Sequence, residues 1–289
     1  MNQTNLYQTK TMKLLGRERE RMIKLNGVEI KLDKYPDGTF LFKNIPSSIG
    51  GWHSSIIEWF FDSMEEFAAV VYIARYCWDH KVMSCLYMPY VPDARMDRVK
   101  KENEIFTLKY FAQTINSLHF DKVEVLDPHS DVSTALFNKI HVELPNRMIE
   151  STVKKIASNN LMMFYPDAGS MKRYSSAVHL PYAFGIKNRD WETGEIKGLD
   201  LSGEINQLPG KDILIVDDIC SKGGTFYHSA KKLKEVGVNK IYLYVTHCEN
   251  TVYDGELLKN NGLIEKIYTT DTILTNLESP KIELVERLR

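Results

Sequence analysis

Asp212-Ile-Leu-Ile-Val-Asp-Asp-Ile-Cys-Ser-Lys-Gly-Gly-Thr225 decides the fold, because a run of branched apolar residues breaks into two carboxylates and a glycine-bearing turn. Residues 213–216 fit a buried parallel strand and residues 226–236 carry helix formers, so the turn between them lies where open α/β sheets bind ligands. Gly223 and Gly224 let the backbone approach an anion, and the N-terminus of the following helix points unpaired N–H groups at it. Asp217 and Asp218 cannot hold phosphate themselves. They suit ribose hydroxyls, which need acceptors, or a magnesium ion carried by the ligand. The stretch therefore reads as a cradle for a sugar phosphate.

Working outward, strand and helix patterns alternate on both sides of this stretch. Residues 28–32 and 39–42 read as a hairpin, joined across Lys34-Tyr-Pro-Asp-Gly38 with its strong Pro-Asp-Gly turn chemistry. Residues 64–78 show helical spacing (Phe67, Val70, Val71, Ala74), 82–88 a strand, 100–118 a second amphipathic helix, and 123–126 a strand ending at Asp127-Pro-His129. The pattern restarts after Leu144-Pro-Asn146 with a helix over 148–159, a strand over 161–165 and the acidic turn Pro166-Asp-Ala-Gly169; residues 241–246 give a later strand. Each half sets an acid just past an apolar strand, Leu126-Asp127 and Val216-Asp217, which suggests duplicated domains. The expectation is an α/β chain of two domains, 1–146 and 147–289, each a mainly parallel sheet flanked by helices.

The 289 residues carry 37 basic and 38 acidic side chains, a balance that excludes binding to nucleic acid through bulk charge. Four scattered cysteines (Cys77, Cys85, Cys220, Cys248) lack the paired spacing of a zinc or redox site, so a reducing, cytoplasmic setting is expected. No apolar stretch suggests a membrane span, and residues 1–20 read as a charged, solvated extension rather than a signal peptide.

Three further constellations carry chemistry. In Tyr87-Met-Pro-Tyr-Val-Pro-Asp-Ala-Arg-Met-Asp-Arg98, two arginines three apart follow a strand end and a proline-stiffened loop, and two guanidinium forks suit a polyphosphate. His129 and Asp167, each just past a strand, fit a nitrogen-and-oxygen site for magnesium bound to a nucleotide. In Gly185-Ile-Lys-Asn-Arg-Asp190, Lys187 and Arg189 project to one side of an extended segment and would neutralise charge on a transferred phosphoryl group. The polar stretch that follows, 191–201, has the composition of a mobile lid.

Taken together and in this order, these motifs resemble the ribose-phosphate diphosphokinases, the phosphoribosyl pyrophosphate synthetases, from about Lys34 to about Thr272. The resemblance implies two phosphoribosyltransferase-like domains, with Mg2+, ATP and ribose 5-phosphate as cofactor and substrates and no role for nucleic acid or membrane. It implies a homo-oligomer whose ATP site is shared between subunits: Tyr35, Asp37 and Thr39 reach the adenine held by a neighbour, and Arg95, Met96 and Arg98 contact ATP. Thr39 stands where the family has glutamate, and Met96 where it has glutamine. His129 and Asp167 become the metal-associated pair, and Lys187 and Arg189 the catalytic pair. Asp217, Asp218, Ser221, Lys222, Gly223, Gly224 and Thr225 form the ribose 5-phosphate loop, with Ser221 replacing a carboxylate and Lys222 a threonine. Both changes favour an anion.

The implied reaction transfers the diphosphoryl group of Mg–ATP to the C1 hydroxyl of ribose 5-phosphate, giving phosphoribosyl pyrophosphate and AMP for nucleotide or NAD biosynthesis. A phosphoribosyltransferase that consumes this product would need neither Arg95 nor the His129 turn. A non-catalytic regulatory relative would be expected to lack Lys187 or Arg189, and both are present.

Overall fold

The computed structural model describes residues 22–47, 49–51, 53–189, 196–259 and 262–287, so the charged extension at 1–20 lies outside the described residues. It separates into two compact units, Glu20–Leu144 and Pro145–Arg289.

The first unit holds strands β1 (Met22–Leu25), β2 (Val28–Lys34), β3 (Phe40–Lys43), β4 (Ser54–Phe60), β5 (Met83–Tyr87), β6 (Lys122–Leu126) and β7 (Ile140–Glu143), with helices α1 (Glu65–Asp79), α2 (Thr107–Asn116) and α3 (Asp131–Leu136). The seven strands form one sheet in the order β3-β2-β1-β4-β5-β6-β7. Pairing is antiparallel from β3 to β4 and parallel from β4 to β7. The hairpin expected at the Pro-Asp-Gly turn is β2–β3. It closes through the Tyr35 N–H donating to the Thr39 carbonyl at 2.8 Å, with Gly38 at φ +87°, a value a side chain resists.

Of the positions read from sequence, helix α1 buries Val70 and Ala74 and half-buries Phe67 and Val71, with Ile73 buried besides; its Phe67 ring packs with Trp59 and Phe111. The second helix is shorter than expected. Residues 100–106 do not join α2, because the Glu104 carboxylate turns back to accept the N–H groups of Lys100 and Lys101 at 2.8 and 3.3 Å. That side-chain bond offers the backbone an alternative to the helix.

The second unit contains α4 (Asn146–Ile156), β8 (Leu161–Tyr165), α5 (Ala168–Tyr174), β9 (Tyr182–Arg189), β10 (Ile196–Gly203), β11 (Asp212–Cys220), α6 (Gly224–Glu235), β12 (Ile241–Cys248), β13 (Lys266–Thr269) and β14 (Ile282–Leu284). Helix α4 stops short of residue 159 because Ala157 adopts the left-handed conformation that ends helices. The sheet order is β10-β9-β8-β11-β12-β13-β14, parallel throughout except for β10 against β9. Matched position by position, the two sheets share one order: each starts at its third strand, runs out to the first, and then continues from the fourth to the seventh.

This shared order does not rest on the acid positions that suggested duplication. Asp127 follows β6, next to the sheet edge, whereas Asp217 lies in the central strand β11. The stretch read as a lid is also corrected in part. Residues 196–201 belong to β10, paired antiparallel to β9, and 191–195 lie outside the described residues. Among the described residues no helix is long and apolar enough to cross a membrane.

Candidate functional site

The central feature of the second unit is a step in strand length. Strand β11 pairs with β8 only as far as Ile215 opposite Phe164, yet it pairs with β12 as far as Cys220 opposite Cys248. The acid pair therefore sits inside the strand, not in a turn after Val216 as the sequence suggested. Ile219 and Cys220 continue the apolar pattern, and β12 supplies a full-length partner. Past Val216, β11 has β12 on one side and the β8 terminus on the other. This is where the sheet order reverses direction, the usual ligand crevice of an open α/β sheet.

Asp218 is buried and Asp217 half-buried, as alternation along a strand demands, and the Asp218 N–H donates to the Asp217 carboxylate at 3.1 Å. The true turn is short, 221–223, and α6 begins at once. Gly223 is its N-cap at φ +76°, without a side-chain cap, and α6 has no acidic residue in its first turn but Lys232 and Lys234 in its last. The dipole and N–H groups at that end thus favour an anion.

Two close approaches lock this turn from outside the motif. A methyl group added at Gly223 would come within 2.2 Å of the Leu257 side chain, and one at Gly255 within 1.9 Å of the Lys222 carbonyl oxygen. Gly255 and Leu257, some thirty residues downstream, brace the loop. Sequence reading missed both, because nothing local in Asp254-Gly-Glu-Leu257 separates a brace from an ordinary turn.

Asp167 sits past the end of β8 as the N-cap of α5, where its carboxylate accepts the Gly169 and Ser170 N–H groups at 3.0 and 3.1 Å. A methyl at Gly169 would stand 3.2 Å from that oxygen, a tight contact that the carboxylate would have to yield to. Lys187 and Arg189 are two positions apart in β9, opposite Leu199 and Ile196 of β10.

In the first unit the arginine loop and the histidine turn come together. Met96 N–H donates to the Asp93 carbonyl at 2.8 Å, with Asp93 left-handed at φ +60°, so Arg95 rides an exposed turn. Arg98 is held by its neighbour Asp97 through Nε at 2.8 Å and a second nitrogen at 3.2 Å. This guanidinium holds the Asp97 carboxyl below the ordinary carboxylate range, and the nearby charge of His129 pulls the same way. The exposed His129 lies two residues past Asp127, which is buried and left-handed at φ +44°.

Tyr35, Asp37 and Thr39 lie elsewhere in this unit. The Asp37 carboxylate accepts the Thr39 N–H at 3.0 Å and hydroxyl at 2.7 Å, bonds that lower its pKa and shape the turn. Strand directions set this turn at the same end of the sheet as the arginine loop. Three strand spacings separate β2 from β5, about 14 Å at about 4.8 Å each. The turn and the arginines are thus not brought into one contact set.

A metal at this chain would rely on few side chains. Among the described residues no group of three or more His, Cys, Asp or Glu side chains could hold an ion by itself. Magnesium fits that sparseness, because it takes one or two carboxylates and completes its shell with phosphates and water. Of the pair expected from sequence, Asp167 offers a hard carboxylate oxygen and the exposed His129 a ring nitrogen.

Comparison with known proteins gives one consistent direction. The phosphoribosyl synthetase-associated domain matches residues 196–287. A ribose-phosphate pyrophosphokinase of Sulfurisphaera tokodaii is 31% identical over 190 residues, covering 64% of this chain and 64% of that protein. One from Pyrococcus abyssi is 29% identical over 205 residues, covering 70% and 68%. The chain thus spans just under two thirds of the first relative and slightly more of the second. The crystal structure of phosphoribosylpyrophosphate synthetase from Mycobacterium smegmatis shares the fold, with a TM-score of 0.73 at 16% identity, over 89% of this chain and 85% of that one.

Proposed function

We propose, on its likeness to the ribose-phosphate pyrophosphokinases, that the chain makes phosphoribosyl pyrophosphate from ribose 5-phosphate and ATP. The C1 hydroxyl oxygen attacks the β-phosphorus, the bond from that phosphorus to the oxygen bridging the α-phosphate breaks, AMP leaves with that oxygen, and the hydroxyl proton passes to solvent. The observation that carries the reading is the end of β11. An acid pair outruns the neighbouring strand and leads, through the short 221–223 turn, to a helix N-terminus without a side-chain cap, where Gly223 is left-handed and packed against the Leu257 side chain.

Each group then has a physical task. Backbone N–H groups of Gly224 and Thr225, with the Ser221 hydroxyl and Lys222, hold the 5-phosphate. Asp217 and Asp218 accept from ribose hydroxyls. Arg95 and Arg98 hold the ATP phosphates, Arg98 dividing its fork with Asp97. Met96 packs beside the nucleotide. Bound Mg2+ would neutralise phosphate charge, with His129 and Asp167 as the side chains associated with it. Lys187 and Arg189 stabilise the charge that builds on the transferred group. Because positioning and charge neutralisation carry such a transfer, no side-chain nucleophile is required. We further propose a cytoplasmic homo-oligomer in which Tyr35, Asp37 and Thr39 of one subunit meet the adenine held by another.

The test is AMP release that requires both ribose 5-phosphate and magnesium. Replacing Lys187 or Arg189 by Ala should lower kcat about 100- to 1000-fold, the loss typical for one preorganised charge-stabilising group. AMP release that persists undiminished in the double variant would overturn their assignment, and its absence in the unaltered chain would overturn the function.

A further inference from the structure

The cysteines scattered in sequence do not all stay apart. Cys220 and Cys248 are register partners on the parallel strands β11 and β12, both fully buried, and each thiol donates to the carbonyl of the residue that follows it, Ser221 at 3.3 Å and Glu249 at 3.8 Å. We propose that Cys220 and Cys248 are an oxidisable dithiol beneath the 221–225 loop, and that closing it to a disulfide takes the loop out of its anion-binding shape.

Adjacent strands stand about 4.7–4.9 Å apart, inside the Cα separation of about 4.4–6.8 Å that a disulfide spans. The loop is coupled to this pair at several points. The Cys220 thiol donates to the Ser221 carbonyl at 3.3 Å, and the Cys220 carbonyl accepts the Glu249 N–H at 2.8 Å. A methyl at Gly223 would lie 3.5 Å from the Cys220 sulfur, so the loop's tightest residue rests close to that atom. Drawing the two sulfurs to about 2 Å would withdraw both the donor to Ser221 and the floor under Gly223. A bridge that departs from relaxed disulfide geometry is more readily reduced, as a reversible regulatory bond must be.

The step balances with a small disulfide such as oxidised glutathione. When local opening of the loop exposes a sulfur, a Cys220 or Cys248 thiolate attacks that disulfide and releases one glutathione thiolate; the second protein thiol then attacks the protein sulfur of the mixed disulfide and releases the other. Two protein S–H bonds become one S–S bond, while the two electrons and two protons leave as two glutathione thiols. Hydrogen bonding to Cys248 and then burial push the Cys220 thiol up, so the reaction should quicken as pH rises beyond the ordinary thiol range.

The proposal rests on the function above only in calling the loop a ribose 5-phosphate cradle. The test exposes the full chain to oxidised glutathione and maps the linked peptides. It then follows hydrogen exchange at 221–225 and titrates ribose 5-phosphate by calorimetry. A Cys220–Cys248 linkage is expected, with loop exchange and ribose 5-phosphate dissociation constant each rising about tenfold or more, and both reversed by dithiothreitol. The Cys248→Ala chain, oxidised alongside, should keep its reduced-state values. No linkage in a chain that stays folded by circular dichroism would overturn the proposal, and so would a linkage that leaves loop exchange unchanged. If the reduced chain does not bind ribose 5-phosphate, the function fails, while linkage and exchange still decide the dithiol.

Discussion

At the scale of single residues, the tightest constraints are backbone contacts that composition does not advertise. Gly255 has an ordinary φ, so its identity is dictated by the Lys222 carbonyl alone. Gly255→Ala must push that carbonyl away and with it the loop. The expected result is a KM for ribose 5-phosphate raised about tenfold or more, roughly 1–3 kcal/mol of overpacking, with a smaller change in kcat. Steady-state kinetics at saturating ATP would show the split. Glu66 is a second such residue. Buried at the start of α1, it accepts the Trp59 indole N–H at 2.9 Å and the Asp62 N–H at 3.0 Å, and burial pushes its carboxyl above 4.5. Because the folded protein holds this proton more tightly than the unfolded chain, the stability it contributes is complete below about 4.5 and is lost as pH rises through the higher folded value. Glu66→Gln keeps an acceptor and removes the titration. Its melting temperature should exceed the parent's at neutral pH, with the difference vanishing near pH 4.

At the scale of elements, the sequence was most readable where periodicity and burial coincide. Strand β8 carries five buried residues in a row and matches its reading residue for residue, and α1 is within one residue at each end. Misreadings arose where a partner distant in sequence decided the outcome. Strand β12 extended β11 through the acid pair, and pairing with β9 turned part of a polar, glycine-containing stretch into β10. Asp167 shows how an element can hide a second role. Its carboxylate caps α5, so loss of activity on substitution could come from the helix instead of a metal. Asparagine caps about as well as aspartate but cannot supply the charge, whereas alanine does neither. Asp167→Ala should therefore lose about 1 kcal/mol of stability as well as activity, while Asp167→Asn keeps the melting temperature and raises the magnesium concentration for half-maximal AMP release.

At the scale of the whole molecule, the two sheets follow one strand order, though the connection from first to second strand is a tight hairpin in one and a crossover through α5 in the other. Sequence suggested duplication through acids that prove non-equivalent; the order itself is set by long-range pairing that no short motif encodes. Likewise, Cys220 and Cys248 become neighbours only through the β11–β12 register. Tyr35 stands 51% exposed at the tip of the β2–β3 hairpin, where the turn is shaped by its own Asp37–Thr39 bonds and Lys34 at its base pairs with Glu65 of α1 at 2.8 Å. The arginine loop lies three strand positions away. If ATP held by Arg95 is completed by the hairpin of a second copy, Asp37→Ala and Arg95→Ala damage different halves of one composite site. Each variant alone should release little AMP. In a symmetric oligomer, subunit exchange on mixing should pair an intact hairpin with an intact arginine loop and recover part of the activity. Recovery that rises with mixing time and follows the fraction of mixed oligomers seen by native mass spectrometry would support the shared site. Mixed oligomers that stay as inactive as their parents would assign both residues to a site within one chain.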